Sequence, residues 1–321
     1  MTTSLLAKLS IAPMIDWTNT HFRVMMRLLA PQALLYTEMQ TTPAIEHNPK
    51  RSLYYSAMEH PLALQLGGAD PDALVRAAVQ AQTLGYDEIN LNLGCPSDRV
   101  RSGQFGACLM AEPALVGTII RQLKQHIDLP ITAKTRIGID QQDDYPFFAS
   151  FIYHLVEAGC DKLIIHARKA WLNGLSPKQN RTIPPVRYAY VYQLKQELPH
   201  IPIVINGNIT STEEVKHHLQ QVDGVMLGRL ACDHPYAIAQ IHHALYPDSS
   251  LKSRYDAARE YCEYLVSIQD QSVPWSIQLK PLMNMMHALP NARLWKHKLM
   301  DIQQQKTHLL LEDALDCLQD Y

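Results

Sequence analysis

The segment Asn90-Leu-Asn-Leu-Gly-Cys-Pro96 carries the side chain best placed for chemistry, the thiol of Cys95. It follows Asp87-Glu-Ile-Asn-Leu, which reads as the C-terminal part of a β-strand. Gly94 allows a sharp turn there, and Pro96 stops the strand from continuing. Cys95 is therefore expected at a strand tip, where parallel α/β folds keep their reactive groups. The alternative is a buried structural cysteine, the usual role of a lone thiol. With Cys108, Cys160, Cys232, Cys262 and Cys317 it forms no CxxC pair and no metal-ligand spacing, which suits a reducing cytosol rather than a disulfide framework.

A thiol at one strand tip gains meaning if other tips face it. Strand-like runs are Ser10–Met14, Leu34–Met39, Leu62–Leu66, Glu88–Leu93, Ile131–Arg136, Lys162–Ala167, Ile203–Asn206 and Gly224–Leu227. Amphipathic stretches lie between them, at Pro71–Leu84, Pro113–His126, Asp144–Ala158 and Ser211–Gln220. Pro71 and Pro113 each suit a first helical position. This alternation predicts a (β/α)8 TIM barrel. A doubly wound open sheet competes, weakened by the lack of a GxGxxG after the first strand. Beyond Pro247 no strand pattern remains, and apolar residues such as Tyr261, Tyr264, Leu265 and Ile268 recur at helical spacing. The expected organisation is a barrel over 1–247 and a small all-helical domain over 248–321.

In a parallel barrel the strand tips share one face. They read Ala12-Pro13-Met14, Gln65-Leu-Gly-Gly68, Asn92 with Cys95, Lys134-Thr-Arg136-Ile-Gly138, His166-Ala-Arg168, Asn206-Gly207-Asn208 and Gly228-Arg229. The last two offer glycine backbone for close approach, free N–H donors and a guanidinium, the chemistry of a phosphate site after the seventh and eighth strands. Plain glycine turns are the alternative. Opposite them, Lys134 is expected to place a fixed positive charge beside a planar ring. Gln65 can donate and accept at the edge of that ring, and Ala12–Met14 can pack its face. A phosphate at one end and a redox ring at the other fit flavin mononucleotide (FMN). A metal fits less well, because the mouth has too few carboxylates.

With 47% hydrophobic and 19% charged residues, the chain is expected to be globular and soluble. Its start lacks a signal-peptide core and no segment is apolar enough to span a membrane, which points to the cytoplasm. Nothing indicates an obligate protein partner. The net charge of −2, from 29 basic and 31 acidic residues, argues against a bulk polycation. Two windows nevertheless lack acids. Residues 162–196 contain Lys162, Arg168, Lys169, Lys178, Arg181, Arg187 and Lys195, and residues 271–300 contain Lys280, Arg293, Lys296 and Lys298. They suggest a polyanion-binding surface, with an ordinary solvated face as the alternative.

These tip segments resemble the tRNA-dihydrouridine synthase family across the whole barrel. The stretch His166-Ala-Arg-Lys-Ala-Trp-Leu-Asn-Gly-Leu-Ser-Pro-Lys178, with Asn180-Arg-Thr-Ile-Pro-Pro185, resembles its DusA subfamily, which modifies uridines 20 and 20a of the tRNA D-loop. Asn208 departs from the pattern, since many members have glycine there. The resemblance implies that NADPH reduces bound FMN and that a hydride then reaches C6 of uracil. Cys95 supplies the proton at C5, a role suited to a thiol titrating near about 8.5. His166 joins the flavin-binding set. Asn92 would hold the uracil edge, Arg181 the target nucleotide, and Lys178, Arg181, Arg293 and Lys296 would orient the tRNA. Trp171 and Tyr188 can stack on bases, with core packing the alternative for Tyr188. Two rivals remain: a flavoprotein acting on a free pyrimidine, like dihydroorotate dehydrogenase, and an RNA-binding barrel without redox activity.

Overall fold

The computed structural model describes residues 7–97, 103–268 and 273–319, so the first two positions of the window 271–300 lie outside the described residues. All strand pairing is parallel. The strands are β1 (Leu9–Ile11), β2 (Leu34–Tyr36), β3 (Gln40–Thr41), β4 (Leu62–Gly67), β5 (Glu88–Leu93), β6 (Ile131–Arg136), β7 (Lys162–His166), β8 (Ile203–Asn206) and β9 (Gly224–Leu227). Their order is β2-β1-β9-β8-β7-β6-β5-β4-β3, and β2 also pairs with β4. That pairing closes the sheet. The two residues of β3 continue the β2 segment along the same neighbour, with Gln40 opposite Leu66, so the ring is an eight-stranded (β/α)8 barrel.

Local chemistry sets the helices that space these strands. Asp70 accepts the N–H groups of Asp72 and Ala73, Pro71 opens the helix Pro71–Leu84, and Gly85 at φ +91° ends it. Asp144 caps Tyr145–Glu157 in the same way through Phe147 N. Two expected strands end three residues short of their apolar runs, and Lys162–Ala167 ends one short, at His166. Ser10–Met14 is strand only to Ile11, because Pro13 has no N–H and the Met14 N–H turns onto Thr18 Oγ1 at 2.9 Å. Leu34–Met39 breaks after Tyr36, where Thr37 Oγ1 accepts the Gln65 N–H at 3.1 Å and displaces the regular ladder.

The period-two alternation of each strand sends every second side chain into the barrel. One half of the interior is apolar, formed by Ala12, Leu34, Tyr36, Ala63, Ile164, Val204 and Met226. The half lined by β4–β7 is polar, with Gln65, Glu88, Asn90, Thr132 and Lys162 all buried.

After the helix Pro235–Leu245 the described chain is helical, including Arg254–Ile268 and Ala292–Gln305. Trp295 is fully buried and donates Nε1–H to Leu282 O at 2.8 Å, and Tyr261, Leu265 and Trp295 belong to the same contiguous apolar cluster as the barrel's outer layer. Lys280 Nζ donates to Asp16 O at 2.7 Å and lies 4.0 Å from the Trp17 ring centre, while Asn284 Nδ2 donates to Cys232 O at 2.9 Å. Asp16 follows β1 and Cys232 follows β9, so the helical region is seated at the strand-tip end of the barrel. Among the described residues no helix is long and apolar enough to cross a membrane.

Candidate active site

Cys95 is half-buried at the tip of β5, held by its neighbours rather than by its own side chain. Asn92 Oδ1 accepts both the Gly94 N–H at 3.2 Å and the Cys95 N–H at 3.0 Å, making an Asx-type turn. The Cys95 carbonyl accepts from Ala107 N at 3.0 Å, and Sγ lies 3.5 Å from Ser97 Oγ. Arg136, at the end of β6, donates Nε–H to Gly94 O at 3.1 Å and Nη1–H to Asn180 O at 3.1 Å. It thereby joins the cysteine turn to the loop carrying Lys178 and Arg181. Asn92 was expected at a substrate edge. Its carbonyl oxygen is instead committed to the turn, and its amide donates to Gln65 Oε1 at 2.9 Å, so one N–H remains for a ligand.

Across the mouth, Lys134 Nζ donates to Asn206 Oδ1 at 3.2 Å, and Asn206 Nδ2 donates to Met226 O at 2.8 Å. Burial first, and then the Arg136 charge, lower the Lys134 pKa to about 7. The charge expected to be fixed is therefore conditional in the free protein, and an anionic ligand would stabilise it. His166 is buried and held well below its ordinary value, first by burial and then by Arg136, Lys134, Arg168 and Arg229, so it is neutral at pH 7. No described carboxylate figures among the influences that shift Lys134, Arg136, His166 or Arg168. Such a mouth attracts anions.

The tips of β8 and β9 are shaped for close approach. Gly207 has φ +123°, and a Cβ there would lie 2.7 Å from the His166 ring. Asn208 has φ +57°, a left-handed conformation that asparagine tolerates and glycine adopts freely, which reconciles it with the glycine of the family pattern. Tyr188 donates to Gly207 O at 2.6 Å with its ring edge-on to His218, so it supports this loop rather than offering a stacking face. Arg229 is exposed just after Gly228. Arg168 was absent from the expected ligand set. It is buried, donates Nη1–H to Pro184 O, and its Nε–H has no partner among the described residues. An unpartnered buried guanidinium N–H within electrostatic reach of Arg229 suits a phosphate oxygen. Ala12 is buried, and Pro13 and Met14 are half-buried beside these tips. A Cβ on Gly228 would lie 3.6 Å from Ala12 Cβ and 3.7 Å from Met14 Sδ.

The basic windows shrink once distant acids are placed. Lys162 pairs with Glu88 in the core at 2.6 Å, Lys169 and Arg187 pair with Asp143 at 3.1 and 3.2 Å, and Lys195 pairs with Asp223 at 2.7 Å. Lys298 pairs with Asp313 at 3.1 Å, and Lys280 is spent on Asp16 and Trp17. Lys178, Arg181, Arg293 and Lys296 remain exposed. Trp171 is half-buried beneath Lys169, whose Nζ lies 4.3 Å from the ring centre.

A family model described as dihydrouridine synthase (Dus) matches residues 10–320, from the first strand through the helical tail. The chain belongs to the dihydrouridine synthase family. It is 50% identical over 293 residues to the tRNA-dihydrouridine(20/20a) synthase of Shewanella oneidensis, covering 91% of this chain and 88% of that protein. It is 48% identical over 296 residues to the Vibrio parahaemolyticus protein of the same description, covering 92% and 91%. Among solved structures, a 2-naphthoyl-CoA reductase complex shares the fold at TM-score 0.55 and 10% identity, over 76% of this chain and 53% of that one. No group of three or more metal-ligating side chains occurs among the described residues.

Proposed function

We propose that this protein reduces uridine to 5,6-dihydrouridine at positions 20 and 20a in the D-loop of tRNA, with bound FMN as cofactor and NADPH as reductant. The observation that carries the reading is a half-buried thiol, borne on a hydrogen-bonded turn at a strand tip, within a mouth of cationic side chains. The FMN phosphate would lie against Asn206, Gly207, Asn208, Gly228 and Arg229, with Arg168 as a further donor. Its ring would lie among Ala12, Pro13, Met14, Gln65, Lys134 and His166. When bound, the flavin supplies a hydride to C6 of the uracil ring.

The chain's own residues do the rest. Cys95 gives its Sγ proton to C5, and Asn92 and Arg136 hold the turn that aims it. Lys134 keeps its proton when negative charge lies beside it. Neutral His166 contributes a hydrogen bond rather than a charge. A uridine must leave its stack to enter, at a cost of a few kcal/mol. Phosphate contacts to Lys178 and Arg181 on the barrel, and to Arg293 and Lys296 on the helical region 248–321, would offset that cost and select the nucleotide.

The test is anaerobic. Flavin-loaded protein is reduced with NADPH and mixed with tRNA lacking dihydrouridine, and reoxidation is followed in the visible band. Wild type should reoxidise with tRNA, and Cys95→Ala should be slower by roughly 10²–10⁴-fold. Equal reoxidation by free uridine would replace tRNA with a free pyrimidine as substrate.

A further inference from the structure

A chain of polar side chains runs through the barrel from its closed end to Cys95, and the function proposed above does not use its lower half. Glu88 and Lys162 open β5 and β7, pair at 2.6 Å, and are 0% and 1% exposed. Glu88 Oε1 also accepts from Tyr36 Oη at 2.9 Å and from Thr132 Oγ1 at 2.6 Å. Gln65, Asn90 and Thr132 are direct neighbours in the register of β4, β5 and β6.

We infer that the Glu88–Lys162 pair is a positioning device that fixes the amide orientation of Gln65 and, through Asn92, the turn carrying Cys95. The argument follows donors and acceptors. An ionised carboxylate only accepts, and Thr132 has one hydroxyl proton, which goes to Glu88 Oε1 at 2.6 Å in preference to Ile89 O at 3.4 Å. Toward Asn90 the Thr132 oxygen can then only accept, so Asn90 presents its NH2 group, at 2.8 Å. That turns Asn90 Oδ1 toward Gln65, whose Nε2 donates at 2.9 Å, and turns Gln65 Oε1 toward Asn92, whose Nδ2 donates at 2.9 Å. Asn92 Oδ1 is left for the N–H groups of Gly94 and Cys95. Asn90 and Gln65 alone could flip; held between the anion and Asn92, whose Oδ1 the turn's two N–H groups already fix, each has one orientation. Gln65 keeps one amide proton and one lone pair for a ligand, and the anion decides where each sits. Stability does not require this arrangement, since buried ion pairs can be replaced by apolar residues at little or no loss.

The test cuts the chain at one atom. Thr132→Val removes the hydroxyl and leaves Tyr36, Glu88 and Lys162 in place. Thr132→Ala repeats the cut without the added methyl, and Thr132→Ser restores the link. Side-chain amide signals of Gln65, Asn90 and Asn92 are recorded by NMR in the flavin-free protein, beside kcat and KM for tRNA reduction. In the Val and Ala variants the Gln65 and Asn92 signals should move and exchange with water at least about tenfold faster. Their kcat should fall about tenfold, the equivalent of one lost hydrogen bond, at little change in KM. Serine should behave as wild type. Unmoved amide signals in Val and Ala, or moved signals with wild-type kcat, would overturn the inference. The kinetic half rests on the proposed function. If wild type reduced no tRNA, that function would fail while the amide signals still decided the inference.

Discussion

Replacing Lys134 with methionine isolates the electrostatic cost of the mouth. Burial and Arg136 lower the Lys134 pKa from 10.5 to about 7 in the flavin-free protein. Below pH 7 both folded and unfolded chains hold the proton, and the folded state carries the full cost of an ammonium in poor solvent. From about pH 7 toward 10.5 the unfolded chain still binds the proton and the folded chain does not, so folding stability rises with pH. The slope from this one group reaches at most about 1.4 kcal/mol per pH unit. Lys134 retains some solvent contact at the mouth, so that slope is a ceiling. Methionine has no proton to exchange. The Lys134→Met protein should therefore be more stable than wild type by a constant margin below pH 7, and the margin should shrink above it. Urea unfolding of both flavin-free proteins at pH 6, 7, 8 and 9 reads the difference, in which other titrating groups cancel. Stability curves that stay parallel from pH 6 to 9 would refute the reasoning.

Three other outcomes follow from the same geometry. Lys162→Met should cost about 3–5 kcal/mol in urea unfolding at pH 7 by breaking a buried ion pair from one side; a loss under 1 kcal/mol would contradict that pairing. Gly207→Ala forces a side chain into φ +123° and a Cβ within 2.7 Å of the His166 ring, at a backbone cost of about 1–3 kcal/mol. Flavin titration should show weakened binding, and unchanged affinity would place the phosphate elsewhere. Lys178→Ala with Arg181→Ala should weaken tRNA binding and flatten the log–log salt dependence by roughly one to two units; an unchanged slope would mean that neither residue faces phosphate.

Much of the barrel was legible because local signals agreed with the global fold. Glu88–Leu93, Ile131–Arg136, Ile203–Asn206 and Gly224–Leu227 are strands with the bounds their apolar alternation predicts, and Pro71 and Pro113 start the helices they mark. The tips converge because a closed parallel sheet allows nothing else. What stayed hidden depends on distant partners. Lys169 and Arg187 meet Asp143, and Lys195 meets Asp223, across turns of the barrel that composition cannot show, so the first window looked more basic than its surface is. Lys162 did carry a signal: it occupies an inward position of an apolar strand opposite Thr132, and Glu88, Asn90 and Asn92 repeat at period two on β5. Read as one face, these polar residues mark a hydrophilic barrel interior. Arg168 gave no such warning, because its unpartnered Nε is a property of packing alone.

The most direct measurement is dihydrouridine mapping by mass spectrometry, on tRNA from cells lacking dihydrouridine synthases, after incubation with this protein and NADPH. Cys95→Ala runs beside wild type. The account predicts dihydrouridine at 20 and 20a with wild type and little or none with Cys95→Ala. Flavin reduction by NADPH with no dihydrouridine at either position in the wild-type sample would contradict it.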